Sequence, residues 1–173
     1  MTRLHATLLR AGVTAAVVVS GCGDGGSRQD ESVAEIYSAA IRWLVDDGRD
    51  ARPSAFDRVF IEAVDEEAIP LVVQTEVVSR LEDAIAVRFI DAREEAIDTS
   101  EPGDPVRDDS VLIGLGPVRD VEHQPLRVYA DRYLNVRDVV AYEIGLEQTD
   151  GRWQVAGEPR RVPVEDDRRV LGD

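Results

Sequence analysis

The chain contains no lysine, one cysteine, one methionine and two histidines, and only 5% of its 173 residues are aromatic. Each shortage removes a class of chemistry. A single cysteine, Cys22, cannot form an intramolecular disulfide, so the folded part must be held by its own core. Zinc sites built from His and Cys lack their donors. A Ser–Lys or Cys–His nucleophile is excluded, and a Ser-His-Asp triad would have to use His123, in the turn-like stretch VEHQP, which reads as an ordinary surface histidine. No serine stands in a Gly-x-Ser-x-Gly context. No apolar run approaches the roughly 20 residues that a transmembrane helix requires.

What is abundant is acid. Asp and Glu total 35 against 20 Arg, for a net charge of −15. Removing Arg3 and Arg10 with an N-terminal leader takes this to −17. Such a field repels phosphate backbones and argues against nucleic-acid binding. It argues equally against docking on anionic lipid through a basic patch. A hydrophobic fraction of 43% is ordinary for a globular protein, and a body of about 140 residues can bury roughly two-thirds of its unfolded surface. All-arginine basic residues, with abundant Ala, Val, Gly and Asp, fit the codon bias of a GC-rich genome.

The first 22 residues have their own pattern. Residues 1–10 (MTRLHATLLR) are basic, residues 11–19 (AGVTAAVVV) are an apolar run of nine, and Ser20, Gly21 and Cys22 follow. A positive region, a short apolar region and small residues at a cut describe a secretory signal over 1–21. Val19-Ser20-Gly21-Cys22 resembles the bacterial lipobox. That resemblance implies cleavage between Gly21 and Cys22 and attachment of diacylglycerol to the Cys22 sulfur. Two acyl chains anchor durably where one is marginal. The expected address is the extracytoplasmic face of the cell membrane, with the membrane as the partner of Cys22. The chain as a whole is similar to small lipoproteins of GC-rich bacteria, a likeness that carries no activity with it. Residues 22–31, rich in Gly, Ser and charge, read as a lipidated flexible tether.

Residues 32–165 read as a single α+β domain and 166–173 as a charged tail. Ser32-Val33-Ala34-Glu35 fits a capping box. Val33, Ile36, Tyr37, Ala40, Ile41 and Leu44 then recur at helical spacing, and Gly48 stands where a C-cap glycine belongs, predicting a helix over 33–46. A strand is expected over 58–64. A second helix follows Pro70, with Val73, Val77, Val78 and Leu81 as its stripe, and a strand at 85–90. Residues 91–98 suggest a short helical turn and 99–109 a loop. Residues 111–118, 126–134 and 140–147 read as strands, and Asp150-Gly151 as a hairpin turn leading into Trp153 and Val155. Gly114 and Gly116 suggest close backbone approach or a bulge rather than a nucleotide-binding loop, because no helix follows. Together these elements give a mostly antiparallel sheet of four to six strands with two helices on one face. The closing hairpin with Trp-x-Val resembles the end of cystatin-like and NTF2-like folds.

Carboxylate pairs occur at Asp46-Asp47, Glu66-Glu67, Glu94-Glu95, Asp108-Asp109 and Asp166-Asp167, and each reads first as solvated surface. Asp46-Asp47-Gly48-Arg49-Asp50 lacks the spacing of a calcium loop, so no metal or cofactor is expected. Tyr129, Tyr133, Tyr142 and Trp153 are candidates for an aromatic stripe, as half-buried packing or as a ligand surface. The expected function is that of a membrane-anchored lipoprotein whose non-catalytic domain binds an envelope protein or an apolar ligand. The alternative is a carboxylate-dependent hydrolase of glycan or cell-wall polymer, which requires two acids converging on a cleft.

Overall fold

A computed structural model describes residues 24–49, 56, 58–64, 68–120 and 125–164. The leader, Gly21 and Cys22, the Glu66-Glu67 and Asp166-Asp167 pairs, His123 and the tail 166–173 lie outside the described residues.

Helix α1 spans Asp24–Arg49, longer at its start than the expected 33–46. Its apolar stripe is the expected one, with Ile36, Tyr37, Ala40, Ile41 and Leu44 buried beside Ala34 and Val45. Each large aliphatic side chain so buried contributes roughly 1.5–3 kcal/mol. Once that face has nucleated the helix, extending it backward costs only the weak propensity of each added residue. The stretch expected as tether is therefore helical from Asp24 onward, and Ser32–Glu35 is an interior turn rather than a capping box. Gly48 also lies inside the helix. A Cβ there would enter the ring of Phe56, so its missing side chain seats Phe56 instead of capping the helix.

Strand β1 (Arg58–Ala63) leads to helix α2 (Leu71–Leu81) and strand β2 (Ala86–Phe89). Pro70 takes the N-cap position of α2 with extended geometry, where its missing N–H leaves nothing unpaired. Val73, Val77 and Leu81 face the core, whereas Val78, expected in the same stripe, is exposed. Strands β3 (Val111–Arg119), β4 (Leu126–Asn135), β5 (Asp138–Thr149), β6 (Arg152–Val155) and β7 (Arg160–Val162) follow.

They form one sheet in the order β2-β1-β3-β4-β5-β6, with β7 also paired to β5. β1 runs parallel to both β2 and β3, and the other pairings are antiparallel. The result is an α+β fold whose curled half-barrel fits an NTF2-like or cystatin-like arrangement. The sheet holds one strand more than expected. β7 escapes sequence reading because Arg160-Arg161-Val162 has no alternating apolar pattern. Asp150 and Gly151 both take positive φ in the β5–β6 turn, the geometry of a type I′ hairpin that this dipeptide favours.

The two sheet faces are covered differently. Val59, Ile61, Val111, Ile113, Leu115, Val128, Ala130, Ile144 and Leu146 meet the buried faces of α1 and α2 in the main core. On the far face, Phe60, Leu112 and Tyr133 pack with Ile90, Ala96, Ile97 and Val106. Those last residues belong to segment 90–106, which includes a 3₁₀ turn at Arg93–Glu95. The segment is pinned by an Ile97–Val106 bridge, by Val106 N–H donating to Leu134 C=O at 3.0 Å, and by the Tyr133 hydroxyl donating to Asp104 C=O at 2.9 Å. β3 breaks register with β4 between Leu115 and Val118, where a Cβ on Gly116 would stand 3.2 Å from that of Tyr129. Both expectations for the strand glycines, a bulge and close approach, are met there.

Candidate functional site

An open cavity of about 580 Å³ runs between α1 and β6 and is lined by Glu35, Ser38, Ala39, Arg42, Arg80 and the whole of Arg152–Val155. Side chains of successive strand residues point to opposite faces. A groove touching four in a row therefore borders the edge of the strand, not one of its faces. β6 ends the sheet order. The Ala156 N–H donates to Gly145 C=O at 2.8 Å, extending the Leu146–Val155 register by one pair. Antiparallel pairing alternates, so the main-chain groups of Gln154 and Arg152 turn inward to β5 and those of Trp153 and Val155 turn outward. No described residue hydrogen-bonds to these outward groups.

The groove gathers charges of both signs. Arg80 is neutralised, with carboxylates of Glu76, Glu35 and Glu31 at 2.9, 3.1 and 3.5 Å. Arg42 donates to the Arg80 carbonyl at 2.6 Å, at the negative end of the α2 dipole. Among the described residues neither Arg42 nor Arg152 makes an ion pair, and both are exposed. The Trp153 side chain is half-buried against the main core. Such a site can hold a chain that brings carboxylates to the guanidiniums and an apolar group to the indole.

A second cavity of about 280 Å³ opens against the N-terminal half of α1, lined mainly by Val33, Tyr37, Ile69, Val73, Leu115 and Val118, with Gln29 and Asp30 among its polar lining. The Tyr37 hydroxyl donates to Gly116 C=O at 3.1 Å, holding α1 against β3 beside it. This cavity suits a small apolar group.

The aromatic stripe expected on one face is split by strand parity. Tyr133 packs on the far face, where burial pushes its phenol above the ordinary value. Tyr129, four residues before it on the same strand, shares that face. Tyr142 and Trp153 lie on the helix side, and Tyr142 stacks edge-on against Trp43 with ring centres 4.9 Å apart.

One member of each described carboxylate pair makes a defined contact. Asp47 accepts from buried Arg132 at 3.1 Å and from the Tyr142 hydroxyl at 3.2 Å. Glu95 accepts from the amides of Asp91 and Ala92, and Asp108 pairs with Arg58 at 2.8 Å. Sequence reading missed three other carboxylates. Glu143 bridges Arg160 and Arg127, and these hydrogen bonds, that of Arg160 first, hold it below the usual carboxylate range. Glu62 and Asp131 are the buried acids among the described residues. They share the far face on either side of Gly114, and Arg93 lies 3.8 Å from Glu62. Neither acid lines the groove or the second cavity. Among the described residues no group of three His, Cys, Asp or Glu side chains is placed to hold a metal ion, and no helix is long and apolar enough to cross a membrane.

Comparison with known proteins found no matching family model, no matching curated protein and no matching solved structure.

Proposed function

We propose that the chain is a membrane-anchored extracytoplasmic lipoprotein whose domain binds a partner without catalysing a reaction on it. The observation that carries this reading is the run Val19-Ser20-Gly21-Cys22, which ends two residues before Asp24, the first residue of α1. A lipid on the Cys22 sulfur would hold the domain close to the bilayer, with no long spacer between them. The binding half of the reading is supported by the groove between α1 and β6, whose exposed arginines and half-buried indole offer recognition, while its Ser38 hydroxyl is turned to the Ala34 carbonyl at 2.7 Å and its Glu35 is tied to Arg80 at 3.1 Å. A hydrolase would draw on Glu62 and Asp131, which line neither cavity. Binding therefore stands ahead of hydrolysis.

Fractionation of cells expressing the parent and Cys22→Ala tests the anchor. The parent should sediment with membranes and the variant should appear in the soluble or released fraction. A variant that stays membrane-bound like the parent would contradict the reading.

A further inference from the structure

We propose that the outer face of α2 rests on the bilayer that anchors Cys22, with Leu71 and Val72 entering the lipid interface. The proposal rests on the lipoprotein reading above and gives the tethered domain its orientation. Its first support is what this face exposes. Leu71, Val72 and Val78 are three of the four large hydrophobic residues that stay exposed among the described residues, Leu71 at 76% and Val72 at 55%. Helical spacing puts them on one arc with Thr75 and Ser79, opposite buried Val73, Val77 and Leu81. That arc carries no charge, in a chain where 32% of residues are charged. The Thr75 hydroxyl donates to the Leu71 carbonyl at 2.9 Å, so it is turned back onto the helix. The two charged residues of α2, Glu76 and Arg80, pair with each other at 2.9 Å, and Arg80 reaches on to Glu35 and Glu31 of α1.

Second, α2 lies beside the anchored end of the chain. Glu31 stands seven residues into α1 from Asp24, about 10 Å along the axis. Gln29 and Asp30 line the second cavity together with Pro70 and Val73 at the start of α2. From Cys22 to Asp24 the chain spans at most about 7 Å. A sulfur fixed in lipid therefore keeps α2 within roughly three helical turns of the bilayer. Third, area decides between occupants. α2 has 11 residues, so its outer face is about 16 Å long and about 10 Å wide. A stable protein–protein contact needs about 800 Å² from each partner, several times what this face offers. A bilayer needs no such area, because the anchor makes the second contact intramolecular. An uncharged face also meets neutral lipid without stripping water from an ion.

The test uses the full lipidated chain, in which acylation of Cys22 leaves no free thiol. Leu71→Cys, Thr75→Cys and a control, Thr99→Cys in the segment over the far face, each carry an environment-sensitive fluorophore. The proteins are reconstituted in phosphatidylcholine vesicles with and without nitroxide-labelled lipid. Labels at positions 71 and 75 should shift to the blue and lose most of their emission to the nitroxide, while the label at 99 keeps its own. Raising the salt should leave this quenching unchanged, since no ion pair carries the contact. Leu71→Asp combined with Val72→Asp should return the label at 75 to the level of the control. Both positions are exposed and lie in the first turn of α2, where acids suit the helix dipole, so the fold should hold. Labels at 71 and 75 no more quenched than the one at 99 would overturn the bilayer contact. So would a blue shift that needs no vesicles and grows with protein concentration in the Cys22→Ala chain, which would make a second copy the occupant. Intact mass on the same samples separates the two readings. An unacylated Cys22 removes the anchor and this proposal with it, whereas an acylated Cys22 with unquenched labels removes this proposal alone.

Discussion

The two faces of the sheet solve the same problem with different means. The helix side is apolar across β1, β3, β4 and β5 and closed by α1 and α2. The far side is apolar only where segment 90–106 lies over Phe60, Leu112 and Tyr133, and beyond that it carries Glu62, Asp131 and the Glu143–Arg127–Arg160 cluster. Stability is thus concentrated on one side. The candidate edge, β6, lies where the helix side meets solvent. A binding surface placed there can keep exposed arginines and unpaired main-chain groups without weakening the core.

That contrast should appear first in truncations. Phe56 is fully buried, packs into the space left by Gly48, and lies 5.7 Å beneath the Arg132 guanidinium. Phe56→Ala should cost about 3–5 kcal/mol in denaturant unfolding. A loss under 1 kcal/mol would mean that the helix side is not the main store of stability.

The next effect belongs to the tie between α1 and the sheet. Asp47→Ala strips buried Arg132 of its nearest carboxylate, leaving Asp138 at 4.0 Å, and removes the acceptor of the Tyr142 hydroxyl. A partly exposed acid limits the loss to about 1–3 kcal/mol, measured in the same unfolding assay.

On the far face the effects are smaller and depend on pH. Tyr133→Phe deletes the hydrogen bond to Asp104 and should cost about 1 kcal/mol near neutrality. Burial raises the Tyr133 pKa above its ordinary 10.0. The corresponding stability is therefore complete below pH 10 and is lost as pH rises through the higher folded value. Tyr133→Phe should flatten the alkaline limb of the stability profile, and an unchanged limb would show that the phenol is not held by the fold. Glu143→Gln should have the smallest effect, about 0.5 kcal/mol or less. The folded pKa of Glu143 lies below its ordinary 4.5, so its contribution is present above that value and fades as pH falls through the folded one. Parent and variant should converge in acid.

Much of this architecture was legible in the residues because each side chain's environment repeats with the period of its element. The buried stripe of α1, the alternation along β4 and β5, and the Asp150-Gly151 turn follow from local chemistry. What escaped was set by partners distant in sequence. The first turns of α1 read as tether because Gly and Ser disfavour isolated helix, yet they extend a helix already secured by its buried face. Gly48 looked like a cap because nothing local reveals that Phe56 needs its space. The aromatic candidates looked like one stripe until register placed Tyr129 and Tyr133 opposite Tyr142 and Trp153. The groove was least legible of all. Arg42, Arg80 and Arg152 lie far apart in the chain, and only the end of the sheet order leaves the edge of β6 open beside α1.

The anchor is tested most directly by intact-mass and N-terminal peptide mass spectrometry of the protein isolated from its native membrane. A chain beginning at Cys22, with diacylglycerol on its sulfur, is the expected result. An intact Met1, or a Cys22 thiol without acyl groups, would contradict it.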